Sequence, residues 1–356
     1  METRTTTVKR NTALDIIRCF ALFFVVSVHF FREMGYYDAP MQRTAMFLMT
    51  LIRTVSMICI PLFLMLTGYL NKSQQLNGKT LKKLGTILLT YLLASVFCYG
   101  YSVTCLKQSF SVFEFLQNLF SYSAVPYGWY VGMYVGLALL APFFNTLFRN
   151  LDKKGQQKLI LVLVFLSIGP SFLNLFLPLA PDYWLSLFPF AFYFIGAYIR
   201  EYPPSFSTKF YVFQLCFVCV ISGYYNFHRA HNGAFVDGMV NDYHAIAHLL
   251  IAVLFFCFIL QWDTSKFSPG FSRFLEKVSR LTFGAYLVSW VYDTAFYGVL
   301  NNRISSVEQR FLYYPVMVFA VYTASLLTSW IITKIQENIE QILKHLGEIP
   351  KKFTLR

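Results

Sequence analysis

Apolar stretches of about twenty residues, separated by short polar breaks, recur along this chain from one end to the other. Each is long enough to cross the roughly 30 Å hydrocarbon core of a bilayer as a helix. Reading the runs between breaks places ten spans, at about 12–31, 46–70, 84–106, 127–148, 159–177, 183–199, 210–227, 243–261, 280–300 and 311–334. The expected fold is all-α, a polytopic membrane protein of about ten transmembrane helices, with residues 1–334 forming one transmembrane domain. Residues 335–356 then read as an amphipathic cytoplasmic tail, with Ile339, Ile342, Leu343 and Leu346 at helical spacing. The opening METRTTTVKR has the positive flank of a signal peptide, but the apolar run after it is too long and lacks a small-residue cleavage site. It reads as a retained first span.

Polar residues inside these runs carry the chemical information. The first span, LDIIRCFALFFVVSVHFF at 14–31, holds Asp15, Arg18 and His29. An ionisable group at bilayer depth costs roughly 2.5–3.5 kcal/mol on insertion scales, so three on one helix should face a protein interior or a wet cavity. At about 100° per residue, the eleven steps from Arg18 to His29 close to within roughly 20° of whole turns, so both share a face. Asp15 lies about 60° from Arg18, and Asn11 is again nearly in line with His29. If the helix enters at residue 12, Arg18 is about 9 Å deep and His29 about 25 Å, close to the far side of the core.

Composition supports the membrane reading: 56% of residues are hydrophobic, 19% aromatic and 13% charged. Charge then fixes orientation. With the N-terminus inside, 22 Lys and Arg residues fall on cytoplasmic segments and seven on the other side, leaving Arg18 within the membrane. This bias places both termini in the cytoplasm. The net charge of +13 becomes a property of the inner face and of contact with anionic lipid, and no nucleic-acid partner is expected. All seven cysteines fall within or at the edges of predicted spans and read as small buried hydrophobes, not as a disulfide framework.

Leu14-Asp15-x-x-Arg18, followed by ten residues and then His29, resembles the opening helix of the acyltransferase 3 family of integral membrane acyltransferases, where an Arg-x10-His pattern follows a Leu-Asp pair. PLFLMLTGYL (61–70) is similar to the family's Pro-Leu-Phe-Phe run ending in Ser-Gly-Tyr-Leu, with Thr67 in place of Ser. YGWYVGMYVGLALLAPFF (127–144), FPFAFYFIGAYI (188–199) and SRLTFGAYLVSW (279–290) look like its later elements, in the same order. Two departures stand out. Ser289 replaces a histidine found in many members, and lysines Lys79, Lys82 and Lys83 stand where an Arg-x-x-Arg often follows the second span.

The resemblance implies a membrane O-acyltransferase, usually an O-acetyltransferase, that moves an acyl group from cytoplasmic acetyl-CoA or another acyl-CoA. The implied acceptor is a hydroxyl of a surface polysaccharide, a lipid-linked sugar or a related envelope molecule, at a multi-pass protein of the plasma (inner) membrane. It gives the stripe a use: His29 as general base, with Arg18 and Asp15 as its catalytic companions. A neutral imidazole suits removal of a hydroxyl proton near neutral pH. Arg18 suits a phosphate or carbonyl oxygen, or the Asp15 carboxylate.

Further candidates have two readings each. Lys79, Lys82 and Lys83 bind the CoA phosphates or serve only the topology rule. Trp129 and Tyr127 stack on an acceptor sugar or belong to an interfacial aromatic belt. Arg53, in the outer half of the second span, is harder to explain by lipid and suits an oxyanion or an acidic acceptor. His244 and His248 in DYHAIAH are four residues apart but have no zinc-protease glutamate between them, so no metal is expected and they read as lining an outer vestibule or as interhelical hydrogen-bonding groups. A transporter or permease-like module using Asp15, Arg18 and His29 for solute or proton binding is the competing class.

Overall fold

The computed structural model describes residues 11–72, 75–175, 177–238 and 240–348. Among them the chain is all-helical, the only extended pairing being an isolated bridge between Met41 and His231. The helices are α1 (Thr12–Glu33), α2 (Arg43–Ser56), α3 (Cys59–Asn71), α4 (Gly78–Thr104), α5 (Val112–Phe120), α6 (Trp129–Asn150), α7 (Lys153–Ser167), α8 (Gly169–Leu173), α9 (Phe188–Glu201), α10 (Thr208–Arg229), α11 (Ile246–Leu260), α12 (Pro269–Tyr292), α13 (Gly298–Arg303), α14 (Val307–Phe311) and α15 (Tyr314–Glu348).

Six of these segments are long and apolar enough to cross a membrane: α1, the α2–α3 pair, α4, α6, α10 and α15. The protein is therefore a multi-pass membrane protein. The other four predicted runs take less regular forms. The run at 159–177 becomes α7 plus the short α8, and the run at 183–199 opens with a 3-10 turn over Asp182–Leu187 before α9. The run at 243–261 keeps 15 residues as α11, about 22 Å of helix, and the run at 280–300 lies in the second half of α12 and continues past it. The predicted second span is broken after Ser56. Pro61 has no N–H and its ring crowds the carbonyl four residues back, at Met57, which is where the helix is interrupted.

Helix starts follow local chemistry. Asn77, Ser111, Asp152 and Ser207 cap α4, α5, α7 and α10 by accepting backbone N–H bonds in the first turn. Asn11 does the same for α1, accepting from Ala13 at 3.0 Å, so it serves as a cap and not as part of a polar stripe. The positively charged Arg4, Lys9 and Arg10, residues 349–356, and the side chains of Leu343 and Leu346 lie outside what the structure describes.

The chain forms two compact units. The first comprises the described residues up to Lys72 and those from Leu151 to Arg280; the second holds the described residues of 73–150 and 281–356. In the first unit α1 is an interior helix, and every residue from Phe24 to Phe31 is buried. A helix buried on all sides in this way meets protein rather than lipid, which is the condition its ionisable residues require. Beside it α3 and α9 run in the same direction in very close contact. A Cβ on Gly68 would lie 1.8 Å from the Tyr193 carbonyl oxygen, and one on Gly196 would lie 2.0 Å from that of Met65. Each Cβ vector points back toward its own N-terminus, so each glycine meets a carbonyl one turn earlier on its neighbour. Arg200, at the end of α9, donates from Nη1 to the last carbonyls of α3, Tyr69 at 2.7 Å and Leu70 at 3.2 Å, and so satisfies acceptors that the helix end leaves open.

In the second unit α4 and α15 are joined by a hydrogen bond from Thr90 to Gln336 at 2.8 Å, and Ser329 of α15 donates to the Leu281 carbonyl of α12 at 2.7 Å. Directly after α12 the helix widens into a π turn over Asp293–Tyr297.

Candidate active site

α1 runs without interruption from Thr12 to Glu33, so the helical relation between Arg18 and His29 holds: one face, about 16 Å apart. His29 is 8% exposed. Near the start of the same helix, Asp15 is buried and takes two bonds on one oxygen. Arg18 Nη1 approaches Oδ1 at 3.3 Å, and the Ser279 hydroxyl of α12 donates to it at 2.7 Å. Arg18 Nη1 also lies 3.3 Å from Ser279 Oγ, closing a three-membered knot of acid, cation and hydroxyl. Only Arg18 reaches the surface, at 26% exposure.

The opposite end of the first unit holds a second knot. The loop after α1 and the segment between α10 and α11 are tied by backbone bonds: Met41 N to Gly233 O at 2.8 Å and Phe235 N to Tyr37 O at 3.2 Å. Between them lies the Arg53 side chain of α2, 1% exposed. Its Nε donates to the Tyr37 hydroxyl at 2.9 Å, and Nη2 donates to the Asn241 carbonyl at 3.2 Å and to Asp237 at 3.3 Å. The Phe235 ring lies 4.5 Å from the guanidinium carbon and the Tyr37 ring 5.2 Å, a cation–π enclosure. His248, fully buried in α11, sets its Nδ1 at 2.7 Å from the Asp242 carbonyl. His244 precedes α11, which begins at Ile246, so the two histidines are not on one helix face as their spacing suggests.

The model of a family described as an acyltransferase domain matches residues 11–334. The chain belongs to the acyltransferase 3 family. No curated protein and no solved structure matches it.

As an acyltransferase-family protein, the chain shows why several of its motif residues sit where they do. The glycines of PLFLMLTGYL and FPFAFYFIGAYI are the two that let α3 and α9 touch backbone to backbone. In SRLTFGAYLVSW, Ser279 bonds the acid of the first helix, while Ser289, where many members have histidine, is buried and donates to the Tyr286 carbonyl at 2.9 Å. Ser289 has no part in either knot.

In the second unit the aromatic candidates divide. Tyr127 is buried and donates to Asp293 Oδ2 at 2.8 Å, and the Tyr286 hydroxyl donates to the Tyr127 carbonyl at 2.5 Å. Trp129 is 43% exposed. Asp293, 1% exposed and at the head of the π turn, is an ionisable residue inside a predicted span that the sequence reading passed over; the rule applied to Asp15 applies equally to it. Lys79, Lys82 and Lys83 are exposed on the first two turns of α4, whereas Lys72 pairs with Glu201 at 3.6 Å in the first unit.

Proposed function

We propose that this acyltransferase moves an acyl group, acetyl in our reading, from cytoplasmic acyl-CoA to a hydroxyl of a surface polysaccharide, a lipid-linked sugar or a related envelope molecule, at the plasma (inner) membrane. One observation carries it: a buried imidazole, His29, stands on the unbroken interior helix of a chain matched to the acyltransferase family over residues 11–334, at the family's spacing from Arg18.

In this reading His29 takes the proton of the acceptor hydroxyl as its oxygen bonds to the thioester carbonyl carbon. The carbon–sulfur bond then breaks, and the departing thiolate recovers the proton as CoA thiol. Arg18 and Asp15 hold α12 against α1 through Ser279 and so fix the helix that carries the base. Lys79, Lys82 and Lys83 bind the phosphates of the donor as point charges, and Trp129 and Tyr127 serve acceptor sugars. With ten spans and both termini in the cytoplasm, the end of α1 that holds Asp15 faces the donor and the end that holds His29 faces the acceptor. The pantetheine arm then spans the distance between them, and acyl-CoA itself does not cross.

Sealed inside-out vesicles test this directly. Labelled acetyl-CoA added outside should pass its label to a glycan acceptor confined to the lumen, and envelope glycans from cells lacking the gene should lose acetyl groups by mass spectrometry. Movement of a solute with no turnover of acyl-CoA would replace this reading with the transporter one.

A further inference from the structure

We infer that Arg53 and His248 form a binding site for an anionic group with a neighbouring hydroxyl, the chemistry of an acid sugar or a sugar phosphate. The inference starts from hydrogen-bonding capacity that the fold buries and leaves unused. Arg53 has five N–H donors in a fixed plane; Nε and Nη2 are engaged, and Nη1 has no partner. The charge is also poorly balanced. Asp237 touches it through one 3.3 Å contact, and the Asp237 side chain is 65% exposed. A buried cation normally requires a buried, well-bonded counter-charge.

His248 supplies the complementary half. A carbonyl oxygen can only accept, so the 2.7 Å contact with the Asp242 carbonyl places the proton on Nδ1. In the neutral ring Nε2 is then a bare lone pair, and it too is buried without a partner. Asn241 adds a third unused atom, Oδ1, while its own backbone carbonyl is bonded to Arg53. The carbonyl that His248 bonds, Asp242, is next in the chain to the carbonyl that Arg53 bonds, Asn241. Native proteins leave few buried polar atoms unsatisfied, and three in one cluster, donors on Arg53 and acceptors on His248 and Asn241, describe a missing partner.

The partner's chemistry follows from that set. A simple anion engages Nη1 and leaves both acceptors empty, and a neutral polyol bonds the acceptors and leaves the cation unbalanced. A carboxylate or phosphate oxygen beside a hydroxyl answers both. Asp237, the most exposed member of the cluster, is the group that such an anion displaces into water. The site also has a sensible address. His29 is one turn from the end of α1, and the loop that follows carries Tyr37, the partner of Arg53 Nε. Naming the ligand as the acyl acceptor rests on the proposed function; the existence of the site does not.

The test is binding to the purified full-length protein in nanodiscs, without acyl-CoA, read as the thermal unfolding midpoint and by titration calorimetry. The probes are glucuronate, glucose 1-phosphate, glucose and sulfate, an anion that carries no hydroxyl at neutral pH. Glucuronate or glucose 1-phosphate should raise the midpoint at millimolar concentration, the stronger of the two naming carboxylate or phosphate, with glucose and sulfate at least about tenfold weaker. Arg53→Gln should abolish the response. Because that variant also leaves the other partners of Arg53 unmatched and so tests stability as well as binding, Asp237→Asn is the second arm. It removes the competing carboxylate and should tighten the acidic probe several-fold.

No response to any probe in the wild type, or an unchanged affinity in Asp237→Asn, would overturn the site and leave internal water as the partner of these atoms. The failure modes separate cleanly. Binding without acyl-CoA turnover leaves the site and removes the enzyme reading, and turnover without binding does the reverse.

Discussion

Two arginines in the first unit sit on apolar helices and pair with aspartates at the same 3.3 Å, yet the pairs are built in opposite ways. In the Asp15–Arg18 pair the acid is buried and the cation is the more exposed partner. In the Arg53–Asp237 pair the cation is buried and the acid lies at the edge. Asp15 is also bonded by Ser279 from another helix, so that knot is complete as folded. Arg53 is left with donors unused. A closed knot at one end holds helices together, and an open one at the other end is arranged to receive something. His29 lies on the same helix as the closed knot but toward the open one.

The largest effect expected from this contrast is on catalysis. His29→Ala should lower acyl transfer by roughly two to four orders of magnitude, with the amount of protein in the membrane unchanged. Activity within a few-fold of wild type, measured with labelled acetyl-CoA in membranes, would remove His29 as the base.

The next separates the two aspartates. Asp15→Ala strips the acceptor from Arg18 and Ser279 together and should cost about 1–3 kcal/mol, seen as a lowered unfolding midpoint that no added anion restores. Asp237→Asn should also lower the midpoint, because it leaves the buried Arg53 charge without a counter-ion, but there glucuronate or glucose 1-phosphate should restore it. If both variants respond to anions alike, or neither does, the distinction between a closed and an open knot fails.

How much of this was legible beforehand depends on sequence distance. The apolar runs and the Asp15, Arg18, His29 pattern are local, and helix geometry alone puts them on one interior helix. The six long spans follow, as does the Asp15–Arg18 pair, three residues apart. Ser279 bonds Asp15 across 264 positions, and Asn241 bonds Arg53 across 188, and no periodicity encodes such meetings. Arg53 stands out because lipid does not explain it, but its partners lie in two separate connecting segments with no motif. The break at Met57 and the cap role of Asn11 were readable, from Pro61 and from position before an apolar run, but a run-based reading smooths over both. Asp293 was equally readable as an acid within an apolar run, but it lies just past the 279–290 element and belongs to no motif.

The smallest effect concerns the donor and sharpens the contrast from its other side. If Arg53 belongs to an acceptor site, phosphate recognition for the donor must lie elsewhere, and the exposed lysines at the start of α4 are the group suited to it. Lys72 is already engaged with Glu201, so the test is confined to Lys79, Lys82 and Lys83. Replacing these three by Gln should raise the apparent KM for acetyl-CoA roughly two- to tenfold, since each exposed charge contributes little alone. The increase should shrink as salt rises from about 0.01 to 0.15 M, because the Debye length falls from about 30 to 8 Å and screens surface charges. The acceptor KM should move less, and Arg53→Lys should show the reverse pattern. A donor KM unchanged at low salt would leave membrane topology as the lysines' only role, while the binding test at Arg53 would stand unaffected.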